Sequence, residues 1–264
     1  MRVIGRKKGM LYRETMMKGG MYLESRIYPI TFMERKCRKS RSKESLPKQK
    51  RLNNKNSKDA MRRAIETNFT INDWFVTLGW TDEKRPKTEE RIAKDIKNFF
   101  ERLRRVLKRT TSKELKYIYV IEHNEDINVH IHMILNNVVT IEELQKIWGN
   151  GNIDIKHLEE TDLGYEELAE YLAKEPKGKK RWVASRNLKR VDIEKNDFKY
   201  NYKKILEIVN CQGDREFIRK LYPGYTLKLF EVKFNKINSS YYINIRLKKE
   251  VGELKSANEI HKMR

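Results

Sequence analysis

The clearest pattern along the chain is a helical repeat of apolar residues in the region 88–109. Two acidic residues, Glu89 and Glu90, stand at its start, where a carboxylate interacts favourably with the positive end of a helix dipole. Steps of three and four separate the apolar positions, which are Ile92, Ile96, Phe99, Phe100, Leu103, Val106 and Leu107. Because this spacing places all of them on one side of a helix, it predicts an amphipathic helix over 88–109.

Runs of aromatic and β-branched residues around this helix predict four strands, at 73–80, 116–122, 129–135 and 152–157. Shorter apolar repeats predict three more helices, at 58–67, 140–147 and 164–174. The polar segment HNEDIN between the second and third strands suits a hairpin turn. From residue 73 the order is β-α-β-β-α-β-α, which predicts an α+β fold with an antiparallel sheet and helices mainly on one face.

The segments on either side of this core have a different character. Residues 35–57 are polar and basic and lack apolar periodicity, so we expect a flexible linker there. Near the C-terminus the segments GYTLKLFEVKF and SSYYINIRLKK predict a hairpin. The predicted division is therefore a basic N-terminal extension with a linker at 1–57, a core domain at 58–190 and a basic C-terminal extension at 191–264.

The charge balance points to nucleic acid as the partner. The chain has 59 Lys and Arg against 37 Asp and Glu, a net charge of +22, and 10% of its residues are aromatic. Residues 1–58 alone hold 18 Lys and Arg but only 4 Glu, a net excess of 14 positive charges, and this segment is a candidate DNA-phosphate arm. A solvated, Lys-rich surface without a partner is the alternative that charge alone leaves open.

Several function classes are disfavoured by what the sequence lacks. Its two cysteines, Cys37 and Cys211, form no C-x-x-C pair, which suits a reducing cytoplasm. No apolar run approaches the roughly 18 residues of a membrane span, and no signal-peptide core is visible. The G-x-x-x-x-G-K-[ST] loop that binds nucleotide phosphates is missing. We therefore expect a cytoplasmic protein that binds neither membrane nor ATP.

Two histidines share one face of the predicted strand VHIHMIL. Strand alternation directs Val129, Ile131, Met133 and Leu135 to one side and His130 and His132 to the other. Two imidazoles at this spacing can bind one divalent cation, and Glu122 on the neighbouring strand is a candidate third ligand. His123 replaces it if the register slips by one residue. Histidines with a structural role, or merely exposed ones, are the alternative.

A tyrosine and a lysine stand close together on the predicted helix at 164–174. At 100° per residue, Tyr165 lies at the centre of the apolar stripe with Leu168 and Leu172, whereas Tyr171 lies at its edge. Lys174 follows Tyr171 by three positions, so its ammonium can lie near the phenol. Tyr171 is thus available for chemistry and Tyr165 belongs to the core. An ordinary amphipathic helix with a packed tyrosine and a solvated lysine is the alternative.

Taken together in order, these elements resemble the three motifs of the HUH endonucleases. Residues 75–78 (FVTL) match the first motif, the His130-Ile131-His132 triplet matches the second, and Tyr171 with Lys174 matches the third. The resemblance is specifically to the single-tyrosine rolling-circle replication initiators, the replication-associated proteins of bacterial plasmids and phages. It covers about residues 58–190 and implies an RRM-like palm.

The resemblance implies a nicking reaction on single-stranded origin DNA. Tyr171 would attack a phosphodiester, leaving a 5′-phosphotyrosine adduct and a free 3′-hydroxyl for a host polymerase. His130, His132 and Glu122 would hold Mg²⁺ or Mn²⁺, and Lys174 would offset charge on the phosphate. Without an ATPase loop, strand separation would fall to a host helicase or supercoiling. Residues after the tyrosine helix would hold the strand: Lys179, Lys180, Arg181, Trp182, Arg186, Lys189 and Arg190.

Two other interpretations use the same residues differently. A relaxase that mobilises an element, or a single-tyrosine transposase, would share the site chemistry and differ in the DNA sequence it selects. A non-catalytic DNA-binding protein would keep the motifs as structural features. Formation of a covalent protein–DNA adduct separates the enzymes from the last of these.

Overall fold

The computed structural model describes residues 11–30, 47–110, 113–122, 129–173 and 181–250. The chain divides into a central unit, residues 42–191, and a terminal unit made of 1–41 and 192–264. Within the described residues there are two antiparallel five-stranded sheets and six helices, so the predicted α+β class is confirmed. None of the described helices combines the length and the apolar character that a membrane span requires.

The elements follow one another along the chain in three groups. The first group is the strand pair β1 (Leu11–Gly19) and β2 (Tyr22–Ile30). The central unit follows with α1 (Pro47–Asn68), β3 (Trp74–Leu78), α2 (Glu89–Thr110), β4 (Tyr117–Glu122), β5 (His130–Leu135), α3 (Ile141–Trp148), β6 (Ile153–His157), α4 (Glu166–Leu172) and β7 (Val183–Ala184). The last group is β8 (Asp192–Tyr200), α5 (Tyr202–Asn210), α6 (Arg215–Leu221), β9 (Tyr225–Asn235) and β10 (Ser240–Lys249).

The central sheet has the strand order β6-β3-β5-β4-β7. One of its faces packs against α2 and α3, and the strand residues buried there are Trp74, Val76, Leu78, Ile131, Met133 and Leu135. The alternation predicted for residues 129–135 is therefore present, with the three apolar positions of β5 buried on this face. The apolar side of α2 packs on the same cluster through Ile92, Ile96, Phe99, Phe100, Leu103 and Leu107.

Helices also cover the other face of the central sheet. Helices α1 and α4 pack there, and the buried cluster contains Met61, Ile65, Ile118, Val120, Ile134, Tyr165 and Leu172. The helices thus divide between both faces, whereas one face was expected to carry most of them. The physical reason lies in the middle strands, whose second face is also apolar and must be removed from water.

Helix α1 begins at Pro47, inside the segment expected to be a flexible linker. Its first turns are largely exposed, and their polar side chains contact the segment after α4. Arg181 Nη2 donates to Asn54 Oδ1 at 2.7 Å, and Trp182 Nε1 donates to Ser57 Oγ at 3.1 Å. The helix is extended by tertiary contacts that apolar periodicity does not reveal.

The terminal unit joins the two ends of the chain in one sheet. Its strand order is β8-β1-β2-β10-β9, and α5 and α6 cover one face. This differs from the expected division, in which 1–57 and 191–264 were separate extensions. The reason is an apolar stripe shared by distant strands, formed by Leu23, Ile27, Ile243, Ile245 and Leu247.

A buried carboxylate lies at the centre of the terminal unit. Glu14 is 1% exposed and accepts hydrogen bonds from Ser25 Oγ (2.8 Å), Lys199 Nζ (2.7 Å), Tyr200 OH (3.2 Å) and Tyr222 OH (2.6 Å). Burial raises the pKa of both tyrosines, so each phenol stays a donor at neutral pH. The charge of Glu14 is therefore compensated on every side.

Replacing Glu14 with alanine should destabilise this unit by about 3 kcal/mol, because four donors then lose their acceptor in a dry site. Urea unfolding followed by circular dichroism measures the change. Glu194→Ala is the matched control, since Glu194 pairs with Lys18 at 2.8 Å on the surface and should contribute less than about 1 kcal/mol. Equal stability of the two variants would contradict a structural role for Glu14.

Candidate active site

Five side chains from three neighbouring strands meet on the α1/α4 face of the central sheet. Strand β5 places His130 and His132 there by alternation. The strand register sets Glu122 of β4 opposite His130, and Thr77 of β3 opposite His132. Phe75, two residues before Thr77, completes the group.

His132 is the most constrained of these side chains. It is 7% exposed, its Nδ1 lies 3.2 Å from Thr77 Oγ1, and its Nε2 lies 2.7 Å from Glu122 Oε2. The ring of Phe75 stacks parallel to the imidazole, with centroids 5.9 Å apart. Hydrogen bonds at both nitrogens and a stacked ring hold the imidazole in one orientation.

His130 lies beside the end of β3. Its ring centroid is 6.4 Å from that of His132, and a Cβ added at Gly79 would lie 3.5 Å from its Cδ2. The carbonyl of Gly79 accepts a 2.7 Å hydrogen bond from the indole of the buried Trp148. Trp148 therefore anchors the strand end against which His130 packs.

Helix α4 brings Tyr171 to the histidines. The phenol oxygen is 3.4 Å from His132 Nε2, and the ring meets His132 edge-on with centroids 5.1 Å apart. Tyr171 is 45% exposed, whereas Tyr165 is 3% exposed in the core. The helical spacing predicted this separation of the two tyrosines. Burial raises the pKa of Tyr165 to about 12.

The charges around Tyr171 act in opposite directions. Burial raises the pKa of its phenol above the ordinary value near 10, and the negative charge of Glu122 raises it further. The ammonium of Lys156 lowers that pKa. A nucleophilic phenolate at this position therefore needs added positive charge.

Lys156 is a residue of this site that the sequence reasoning missed. The β3–β6 register pairs it with Phe75, and its neighbour Asp154 pairs with Thr77, so both charged residues of β6 share the face of the histidines. Lys156 Nζ lies 3.6 Å from Asp154 Oδ2. Alternation in residues 152–157 could have marked Asp154 and Lys156 as sharing a face, but the sequence contains no signal that β6 lies beside β3.

The donors present suit a divalent cation after a small rearrangement. Within the described residues, no group of three or more His, Cys, Asp or Glu stands ready to hold a metal as the side chains lie. His132 Nε2 is engaged by Glu122, whose side chain is 50% exposed and can rotate. Metal–imidazole bonds of about 2.1 Å place the two rings slightly closer together than they lie. Imidazole nitrogens with a carboxylate are ordinary ligands of Mn²⁺ and of related ions.

The predicted DNA contacts are only partly within view. Lys174, Lys179, Lys180 and the alternative ligand His123 lie outside the described residues. Three predicted contacts are exposed at the end of the unit: Arg186, Lys189 and Arg190.

Two of the predicted DNA contacts, Arg181 and Trp182, bond to α1 instead of standing free. The indole of Trp182 is partly buried, and it lines a small cavity together with Ala173, two residues after Tyr171. Its position next to the end of α4 leaves one edge of the ring for contact with DNA.

One comparison with known proteins gives a match. Residues 73–176 match the family model described as Replication-associated protein, of the ORF2 and gene 2 protein type. The matched segment begins just before β3, contains both histidines, and ends just after Tyr171. No curated protein and no solved structure matches the chain.

Proposed function

We propose that this chain initiates replication by nicking single-stranded origin DNA, with Tyr171 as nucleophile and a divalent cation at the histidine pair. The family match over 73–176 indicates a replication initiator. The observation that carries the finer proposal is the 3.4 Å separation between the Tyr171 hydroxyl and His132 Nε2. A nucleophile and a candidate metal ligand are thus within reach of one phosphate.

In the proposed reaction the Tyr171 oxygen attacks a phosphorus atom of the strand. A bond forms between that oxygen and phosphorus, and the bond to the 3′ oxygen breaks on the opposite side. The phenol gives up its proton to solvent, and the departing 3′ oxygen takes one up. The products are a 5′-phosphotyrosine and a free 3′-hydroxyl.

The surrounding residues have separate tasks. His130, His132 and Glu122 would hold Mg²⁺ or Mn²⁺, which when bound supplies Lewis-acid charge to a non-bridging phosphate oxygen. Thr77 and Phe75 orient His132. Stacking and phosphate contacts from the segment after α4 would hold the strand, with Lys174 and the predicted cations at 179–190 contributing.

The same chemistry indicates which partners the protein needs. The tyrosine ester keeps the energy of the phosphodiester bond, so religation requires no ATP. A host polymerase extends the 3′-hydroxyl, and a host helicase or supercoiled origin DNA separates the strands. Because a relaxase or transposase would use the same site, replication of a plasmid that carries the native flanking DNA separates an initiator from these.

An end-labelled oligonucleotide tests the proposal directly. The full-length protein is incubated with Mn²⁺ and a library of single strands, and the products are separated by denaturing electrophoresis. We expect a 3′ label to migrate with the protein, because the tyrosine takes the 5′ phosphate of the downstream fragment. A 5′ label should migrate as a shorter free strand. Absence of any labelled protein across the library would refute the nuclease and leave a DNA-binding protein.

Lys156→Ala should slow nicking about tenfold, which corresponds to about 1.4 kcal/mol in the barrier. The reason is the loss of a cation that lowers the pKa of the nucleophile and faces the bound phosphate. Single-turnover rates at saturating oligonucleotide measure the effect. Lys146→Ala, on exposed α3, is the matched control and should nick at the wild-type rate. The same rate for both variants would remove Lys156 from the site.

A further inference from the structure

The outward side of α2 carries an unusual density of positive charge. Eight basic residues lie on its exposed and half-buried positions: Arg91, Lys94, Lys97, Arg102, Arg104, Arg105, Lys108 and Arg109. The last nine residues of the helix, 102–110, hold five of these cations and no acid. The nicking site uses none of them.

Little of this charge is neutralised within the protein. Arg91 pairs with the buried Asp95 at 3.1 Å, and Glu101 lies 3.8 Å from Lys97 and 4.0 Å from Arg105. In the part of the chain that the structure describes, Lys94, Lys108 and Arg109 have no ion pair. The net field along the helix is therefore positive and faces water.

The geometry of the helix makes this charge a regular array. The apolar side of α2 is buried against the sheet, so the basic side faces away from it. From Arg91 to Arg109 the helix rises about 27 Å, which matches about eight base pairs of B-DNA. A straight row of cations of this length can contact successive phosphates of one duplex backbone.

A cavity beside the helix adds a place where one phosphate can be held. Its volume is about 330 Å³, and its lining includes Arg91, Asn98, Arg102, Arg105 and Asn150 together with the carboxylates of Asp95 and Glu101. Guanidinium groups bind phosphate oxygens in pairs, with more geometric specificity than a lysine ammonium. Arg102 is already oriented, since it donates to the carbonyl of Trp148 at 3.3 Å.

The composition of this face discriminates between kinds of nucleic acid. Sites for single strands combine cations with exposed aromatic rings that stack on the bases. The aromatic residues of α2, Phe99 and Phe100, are both buried, so its outward face offers phosphate contacts alone. By contrast, Phe75 and Tyr171 lie at the site on the opposite sheet face. Charge without stacking partners suits paired, stacked bases.

We propose that the outward face of α2 binds duplex DNA through its phosphates, as a docking surface distinct from the nicking site. Because α2 and the histidine pair cover opposite faces of the central sheet, a duplex and a single strand can be bound at the same time. The surface would retain duplex DNA next to the strand being cut. The proposal does not depend on the nicking chemistry.

A four-site variant tests this surface: Arg104→Gln, Arg105→Gln, Lys108→Gln and Arg109→Gln together. The matched control removes four exposed lysines of the terminal unit: Lys203→Gln, Lys220→Gln, Lys236→Gln and Lys249→Gln. Fluorescence anisotropy without divalent metal measures binding of a blunt duplex and of one of its strands across a salt series. Circular dichroism verifies that both variants are folded.

We expect the α2 variant to bind duplex about 10- to 100-fold more weakly, with a salt slope about 3 units shallower, because four phosphate contacts are lost. Binding and nicking of the single strand should change less than about twofold, as no aromatic contact is touched. The control should change duplex binding little. Unchanged duplex affinity would overturn the proposal, as would an equal loss for single strand and duplex or an equal loss in the control.

Discussion

Replacing Tyr171 with phenylalanine should abolish the covalent protein–DNA adduct, with a loss of at least about 10³-fold in nicking rate. The substitution removes one oxygen from a half-exposed ring and leaves its edge-on contact with His132, whose ring centroid is 5.1 Å away. DNA affinity should therefore stay close to that of the wild-type protein. Labelled oligonucleotide transfer measures the chemistry, and anisotropy measures the binding.

Tyr202→Phe is the matched control for this experiment. Tyr202 is 48% exposed, close to the 45% of Tyr171, but it lies at the start of α5 in the terminal unit. The control should form the adduct at the wild-type rate. If Tyr171→Phe still became labelled, the nucleophile would be another residue, and the 3.4 Å approach to His132 would be only a packing contact.

Replacing His132 with alanine should have the second largest effect. We expect nicking to fall by more than about 100-fold and Mn²⁺ affinity to fall with it, because the variant loses a ligand and also the anchor for Glu122. His130→Ala should lower Mn²⁺ affinity too, while leaving the contacts of Thr77 and Glu122 with His132. Calorimetry of Mn²⁺ binding without DNA measures the metal separately from activity.

His157→Ala separates a metal effect from a general loss of histidine. His157 lies at the end of β6 and packs on Trp74, with ring centroids 4.3 Å apart, on the sheet face opposite the site. Its Mn²⁺ titration should match that of the wild-type protein. An unaltered Mn²⁺ affinity in both His130→Ala and His132→Ala would show that the pair is structural, whatever the fate of Tyr171.

Much of the site was predictable because alternation and helical spacing are local properties. Strand geometry turns successive side chains to opposite faces, so VHIHMIL alone implied that His130 and His132 share a face. Helical rotation likewise separated a buried Tyr165 from an exposed Tyr171. These periods follow from backbone geometry and need no knowledge of distant residues.

The neighbours of those side chains were a different matter. The sequence does not contain the strand order β6-β3-β5-β4, which puts Thr77 next to His132 and Lys156 next to Phe75. Strand order is decided by which apolar faces pack together across long separations in the chain, and no local period encodes that choice. For this reason Lys156 escaped the sequence reasoning although its alternation was visible.

The same physical limit explains the domain division. The amphipathic pattern over 88–109 was enough to predict α2, and the motif order was enough to place a catalytic core in the middle of the chain. Only the tertiary structure joined 11–30 to 192–249 in one sheet and extended α1 to Pro47. Sequence determines the face on which a residue lies, whereas long-range packing determines what lies next to it.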